Sequence, residues 1–167
     1  YWELDCLKKI GMAQPKVTEL VCCDLRNRLM AYEQNRIEFL NKELPVSYQD
    51  LIKWVAKFPG PRLLILNTVQ TAAVIASYMA QEYGRGCVEH LSTALTPEDR
   101  SKAVKRIKQR LKDTSDRDWT LVATSCVEAG VDFSFQTGFR EMSSLLSLLQ
   151  AAGRVNRHGQ LKDAKMW

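Results

Sequence analysis

Two arginines three positions apart, Arg154 and Arg157, close the segment QAAGRVNR at residues 150–157. A guanidinium keeps its charge at any working pH and presents a planar fork of donors that matches phosphate oxygens. Placed across an interface from a phosphate, such a group stabilises the charge that develops as a phosphoryl group is transferred. Arginine pairs near a helix end also cap backbone carbonyls or form surface ion pairs, and the spacing alone leaves both uses open.

Three further segments carry polar groups of the same kind. At 122–132, VATSCVEAGVD sets Thr124 and Ser125 after an apolar run, then a small-residue loop with Gly130 and Asp132. Hydroxyls and backbone N–H groups at a strand's carboxyl end suit phosphate contacts, and glycine permits close approach; Thr-Ser and Gly-Val-Asp are equally common turn chemistry. At 67–71, NTVQT places Asn67 and Thr68 where they can cap a helix, contact a phosphate at its N-terminus, or both. At 91–100, LSTALTPEDR puts Ser92 and Thr93 between a strand end and a helix start.

The elements that must position these groups follow from the apolar pattern. Residues 63–66, 87–91 and 119–124 are short apolar runs that suit buried parallel strands. A helix is predicted over 71–81, with Ala72, Ile75, Ala76 and Met79 on one face and Gly84 as its stop. Another starts at Thr96-Pro97-Glu98-Asp99, with Thr as N-cap, Pro in the first turn and acids at the positive dipole end. Its Ala103, Val104, Ile107 and Leu111 form one stripe, so its bases lie on the other faces. A leucine-rich helix leads to Gly153. Strand–helix alternation of this kind predicts an α/β parallel sheet flanked by helices, with function in the loops after Leu66, Leu91 and Thr124 at the carboxyl ends of the strands. Residues 1–60 are expected to be a linker or accessory, mostly helical extension, with helical character over 17–40 and a helix from Ser47 through Lys57; residues 61–167 form the α/β domain.

Composition narrows the class. Of 167 residues, 46% are hydrophobic and 26% charged, the balance of a globular chain able to bury a core without disulfides or metals. No apolar run approaches the roughly 18 residues of a membrane span. The ends, Tyr1-Trp2-Glu3 and Met166-Trp167, suggest a part of something longer. Five scattered cysteines (Cys6, Cys22, Cys23, Cys87, Cys126) form no CxxC pair. They suggest a reducing, cytoplasmic compartment and thiols used as small buried hydrophobes, with no metal site. Residues 97–112 hold seven bases against two acids, which equals the whole net charge of +5. That helix suits a polyanionic partner, although a solvated face is the commoner meaning of such a run.

In order, spacing and strand context, the four segments resemble the motifs of the second RecA-like domain of superfamily 2 helicases. The resemblance covers residues 61–159: 67–71 is similar to motif IV, 91–100 to the "HS…TPEDR" segment after it, 124–132 to motif V and 150–157 to motif VI. The wording "LNTVQTA", "LSTALTPEDR" and "QAAGRVNRHG" is most similar to the CRISPR-associated helicase–nuclease of type I systems. Ala151 stands where many relatives have Arg, Ser125 replaces a common Asp, and Ser92-Thr93 replaces His-Ser.

That resemblance implies a RecA-like fold and ATP-driven translocation on single-stranded DNA, with RNA as the alternative strand. It implies that Arg154 and Arg157 are catalytic arginine fingers and that Gly130, Asp132, Gln150 and Gly153 face the nucleotide. Asn67, Thr68, Ser92, Thr93, Thr124 and Ser125 would contact nucleic acid. The implied partners are a first RecA-like domain, a histidine–aspartate nuclease domain and a CRISPR surveillance complex. ATP with Mg²⁺ would be bound mainly by that first domain, because neither GxxxxGK[ST] nor DExH occurs in this sequence. The chain alone is therefore expected to be inactive. Another superfamily 2 RNA or DNA helicase, or a non-enzymatic α/β nucleic-acid-binding module, are the rival readings.

Overall fold

The computed structural model describes residues 21–42, 45–128 and 130–167. The chain divides into two units, residues 1–33 and 34–167. Of the first, the described part is residues 21–33, nearly all within helix α1 (Cys23–Arg36), which buries no residue. The helical expectation over 17–40 is met here for residues 23–36, while its first four positions lie outside the described residues.

The second unit is built on a parallel sheet of β1 (Glu38–Phe39), β2 (Arg62–Ile65), β3 (Val88–Leu91), β4 (Thr120–Ala123), β5 (Thr137–Arg140) and β6 (Lys165–Met166). Their order is β1-β6-β5-β2-β4-β3, and every neighbouring pair is parallel. β2 and β4 are buried at all four positions, as continuous apolar runs between two helical layers must be. Because successive strand residues point to opposite faces, Leu63, Ile65, Leu121 and Ala123 feed one core and Leu64, Leu66 and Val122 the other. The first core is covered by Ala103 and Ile107 of α4 (Pro97–Lys112) and by Ala151 and Ala152 of α5 (Leu145–Ala152). The second is covered by Ile52 and Val55 of α2 (Tyr48–Ala56) and by Ala72, Ile75, Ala76 and Met79 of α3 (Val69–Tyr83).

Local chemistry fixes where these helices begin. Ser47, Thr68, Thr96 and Ser144 each accept a hydrogen bond from the backbone N–H three residues on, caps worth about 1 kcal/mol apiece. At the end of α2, Arg62 donates from Nε to Phe58 O at 2.7 Å and from Nη2 to Ala56 O, and it pairs with Asp118. A cation on those last carbonyls suits the negative end of the helix. Whereas the sequence starts the α/β domain at residue 61, α2 precedes that point and is already part of the core, with Val55 wholly buried.

One expectation needs correction. The cysteines are not buried hydrophobes: Cys22 and Cys23 are exposed, Cys87 and Cys126 are half-buried, and Cys6 lies outside the described residues. They fall near a helix start and in short turns, and of the four only Cys126 packs against the hydrophobic core. The leucines of α5 divide between core and surface. Leu148 packs against the core, but Leu145, Leu146 and Leu149 are more than half exposed, and the helix is seated by its small residues Ala151 and Ala152. Among the described residues no helix is long and apolar enough to cross a membrane.

Candidate functional site

The register aligns the carboxyl ends of the three central strands: Ile65 of β2 stands opposite Ala123 of β4 and Arg140 of β5. The segments that follow, starting at Leu66, Thr124 and Glu141, therefore emerge side by side. The segment after α5 joins the chain just before β5 through a short parallel bridge between Phe135 and Val155, and it reaches the turn after β4 through the Arg154 side chain. There Phe135 N–H donates to Arg154 O and Asn156 N–H to Phe135 O, both at 2.8 Å. Arg157 N–H then donates to Ser134 Oγ at 3.1 Å, which sets this arginine beside the 130–134 loop.

The two arginines make different contacts, one with backbone carbonyls and one with a carboxylate. Arg154 is buried, and its Nε and Nη2 donate to Val127 O at 2.9 Å and Glu128 O at 2.8 Å. It thus caps the carbonyls of the turn that follows β4. In this arrangement its guanidinium is turned inward. Arg157 instead reaches outward, with 38% of its side chain exposed and Nε 3.2 Å from Asp132 Oδ1. Gly130 adopts φ +76, a left-handed conformation that a side chain would strain, and an added Cβ there would meet nothing within 4 Å. Open space in front of a backbone turn beside a half-exposed arginine fits an approaching phosphate. Gln150 is exposed on α5, and Gly153 closes that helix by donating its N–H to Leu149 O.

The candidate nucleic-acid residues divide by exposure. Thr68, Thr93 and Ser125 are exposed; Thr68 Oγ1 is also occupied as the cap of α3, accepting from Thr71 N–H at 3.0 Å. Asn67 is exposed but internally bonded, accepting from Arg140 Nη1 at Oδ1 and donating from Nδ2 to Met142 O. Ser92 and Thr124 are buried at the ends of β3 and β4, and neither hydroxyl finds a hydrogen-bond partner among the described residues. They lie beneath the surface the other four help to form.

The basic helix α4 is more structural than its composition suggests. Arg106 grips the buried Glu89 of β3 in bidentate fashion, at 2.6–3.0 Å. Arg110 pairs with Asp116 and Glu89 and lies over the Trp119 ring at 4.5 Å. These acidic partners, acting against some burial, hold both guanidinium groups above their ordinary proton affinity. Arg100 donates to Cys126 O, and Lys102 pairs with Glu98. Lys105, Lys108 and Lys112 are left for solvent or a polyanion.

One ion pair had no forerunner in the sequence. Glu128, in the turn after β4, and Arg140, at the end of β5, lie 3.0 Å apart with side chains only 7% and 5% exposed. Nothing in the local pattern marks them, because they meet only once β5 is known to lie beside β2.

Comparison with known proteins gives the family and the fold. Residues 60–160 match the family described as "CRISPR-associated nuclease/helicase Cas3, C-terminal". A 43-residue stretch, 26% of this chain, is 46% identical to the CRISPR-associated nuclease/helicase Cas3 of Haloferax volcanii, of which it spans 5%. In structure, 78% of the chain superposes on 17% of T. fusca Cas3 with ATP, at TM-score 0.66 and 21% identity. The C-terminal domain of the DEAD-box protein Dbp5 is similar over 80% of this chain and 77% of its own, at TM-score 0.62 and 14% identity. These likenesses establish the α/β RecA-like fold of a second helicase domain. The chain spans under a fifth of the Cas3 chains it resembles.

Proposed function

The chain belongs to the family of Cas3 C-terminal helicase domains, and from that membership we propose that it is one half of an ATP-dependent translocase acting on single-stranded DNA in type I CRISPR interference. The observation that carries this reading is the half-exposed Arg157 paired with Asp132, two residues beyond the open turn at Gly130, in the loop that leaves the carboxyl end of β4. In such sheets that end is where ligands bind.

In the proposed cycle a first RecA-like domain elsewhere in the parent protein holds ATP with Mg²⁺, and hydrolysis supplies the free energy for movement. Arg157 comes across the interface to the transferring phosphoryl group. Arg154 acts from beneath, holding the carbonyls at 127 and 128 and thereby the shape of the nucleotide-facing loop with Gly130 and Asp132. Gly153 ends α5 so that the two arginines leave it at the right point, with Gln150 on the exposed face. Thr68, Thr93 and Ser125 take the sugar–phosphate backbone, Asn67 orients the start of α3, and Ser92 and Thr124 support the strand ends below. Closing and reopening of the two domains advances the strand by hinge motion. A histidine–aspartate nuclease domain and a surveillance complex are the further partners of this reading.

The test is hydrolysis and strand displacement by the full-length parent with single-stranded DNA, single-stranded RNA and no nucleic acid. Stimulation by DNA supports the proposal. Preference for RNA transfers the chain to the RNA helicases, and hydrolysis without stimulation by either rejects translocation.

A further inference from the structure

Four polar side chains connect the strand ends in series, through hydrogen bonds and one buried ion pair, whose nearest atoms, Glu128 Oε1 and Arg140 Nε, are close without forming a hydrogen bond. Arg154 Nη2 donates to Glu128 O at 2.8 Å, and the Glu128 carboxylate lies 3.0 Å from Arg140 Nε. Arg140 Nη1 donates to Asn67 Oδ1 at 2.7 Å and to Glu141 O at 3.1 Å. Asn67 in turn donates its backbone N–H to Glu141 Oε2 at 2.7 Å and its amide to Met142 O at 3.0 Å. One end of the series is the arginine segment assigned to the nucleotide side. The other is the residue next to Thr68, which caps α3 on the nucleic-acid side.

The middle of the series is its unusual part. A carboxylate and a guanidinium, both more than nine-tenths buried, are costly to desolvate, and an apolar pair of similar size is often at least as stable in such a place. Here the pair bridges the turn after β4 to the end of β5, strands that are not neighbours but flank β2. Separating the pair would leave an uncompensated buried charge, so a shift of one partner draws the other with it.

We infer that Glu128 and Arg140 are positioning residues that couple the nucleic-acid face to the arginine segment, so that strand binding at α3 sets the turn on which Arg154 rests and, through it, the reach of Arg157. This rests on the translocase reading above. Strand engagement displaces Asn67, Arg140 follows Asn67, and the Glu128 turn follows Arg140. The pair contributes to stimulated turnover and leaves unstimulated hydrolysis to the phosphate-binding domain.

The experiment uses the full-length parent and compares Glu128→Gln, Arg140→Met and the double variant, with hydrolysis measured with and without single-stranded DNA. Each single variant strands one buried charged or polar partner and is expected to lower Tm. The double variant removes both charges and is expected to recover Tm, so that folding is separated from coupling. The coupling reading expects the double variant to retain basal hydrolysis and its KM for ATP while losing at least tenfold of the DNA-stimulated kcat. Full stimulation in a folded double variant, or equal loss of basal and stimulated rates, overturns the inference alone. Absence of DNA stimulation in the unaltered parent overturns the translocase reading, and this inference with it.

Discussion

Arg157 Nε lies 3.2 Å from Asp132 Oδ1, with the carboxylate 68% exposed and the arginine 38% exposed. A pair so open to water is worth about 0–1 kcal/mol. A phosphate offering bidentate, charge-assisted bonds can therefore displace the carboxylate at little cost. Asp132 parks the arginine in an extended geometry without blocking it.

Arg157→Ala in the full-length parent is expected to lower stimulated kcat by roughly 10³–10⁵-fold, with nucleic-acid affinity nearly unchanged. The loss belongs in turnover because the charge it meets forms in the transition state. Arg157→Lys is expected to rescue poorly, since an ammonium cannot reproduce the fork. Steady-state kinetics beside a strand-binding titration checks this, and unaltered turnover in Arg157→Ala would make the residue a surface ion-pair partner only.

The chain by itself is expected to show no ATP hydrolysis above background. Triphosphate and Mg²⁺ have their primary seat in a phosphate loop whose motif this sequence lacks. Phosphate release by the purified chain, tested after a second chromatographic step, decides it; turnover that persists would refute the division of labour between two domains.

For the basic helix, replacing Lys105, Lys108 and Lys112 together by Ala is expected to weaken strand binding by the full-length parent and leave Tm nearly unchanged. The slope of log affinity against log salt should fall by about 0.7 for each phosphate contact removed. Arg106→Ala should do the opposite, lowering stability by about 1–3 kcal/mol because the buried Glu89 loses its bidentate partner. An unchanged salt slope in the triple variant would mean that these lysines are only a solvated face.

How stability varies with pH is expected to carry a contribution from His90. Burial pushes its pKa below the ordinary 6.5, and its Nε2 is enclosed without a hydrogen-bond partner. Between 6.5 and the depressed value, the unfolded chain takes up a proton that the folded chain refuses, so stability falls as pH drops through that window. Below the depressed value the contribution stays lost. His90→Leu should flatten this part of a Tm-against-pH curve, and an equally steep curve in the variant would clear His90 of the effect.

Gly60→Ala is expected to destabilise by about 1–3 kcal/mol, because the new Cβ would fall 2.1 Å from the backbone oxygen of Arg117. Backbone cannot swing aside as a side chain can. Gly86→Ala is the control, with nothing within 4 Å of its Cβ and an effect expected within about 0.5 kcal/mol. Chemical denaturation of both distinguishes steric contact from a general cost of losing glycine.

Much of this fold was legible in advance for a physical reason. β2 and β4 are apolar at successive positions, and Thr68, Thr96 and Gly84 sit at helix ends, so local chemistry marks those elements within one or two residues. β5 carries no such mark. Its TGFR has one large apolar side chain, and Gly138 is there because Val155 and Met166 occupy the space a Cβ would need. β1 and β6 are two residues each, too short for any period to register. Within the site, the types and spacing of Arg154 and Arg157 were visible, but not their opposite directions, which depend on the bridge at Phe135 and Val155. Nor could composition separate the arginines of α4 that hold Glu89 from the lysines left over, because Glu89 lies on a strand distant in sequence.

The strand order also has a consequence in time. β2 pairs with β4 and β5, so during synthesis its four buried residues stay without a neighbour until Thr120, 58 positions after Arg62, has been made. At a ribosomal pace of roughly 5–20 residues per second, that delay is about 3–12 s. Throughout it β2 has no strand partner on either edge, the kind of unpaired apolar segment that is prone to wrong association. Translation speed across residues 66–120 therefore governs how long the heart of this sheet is open to the wrong partner.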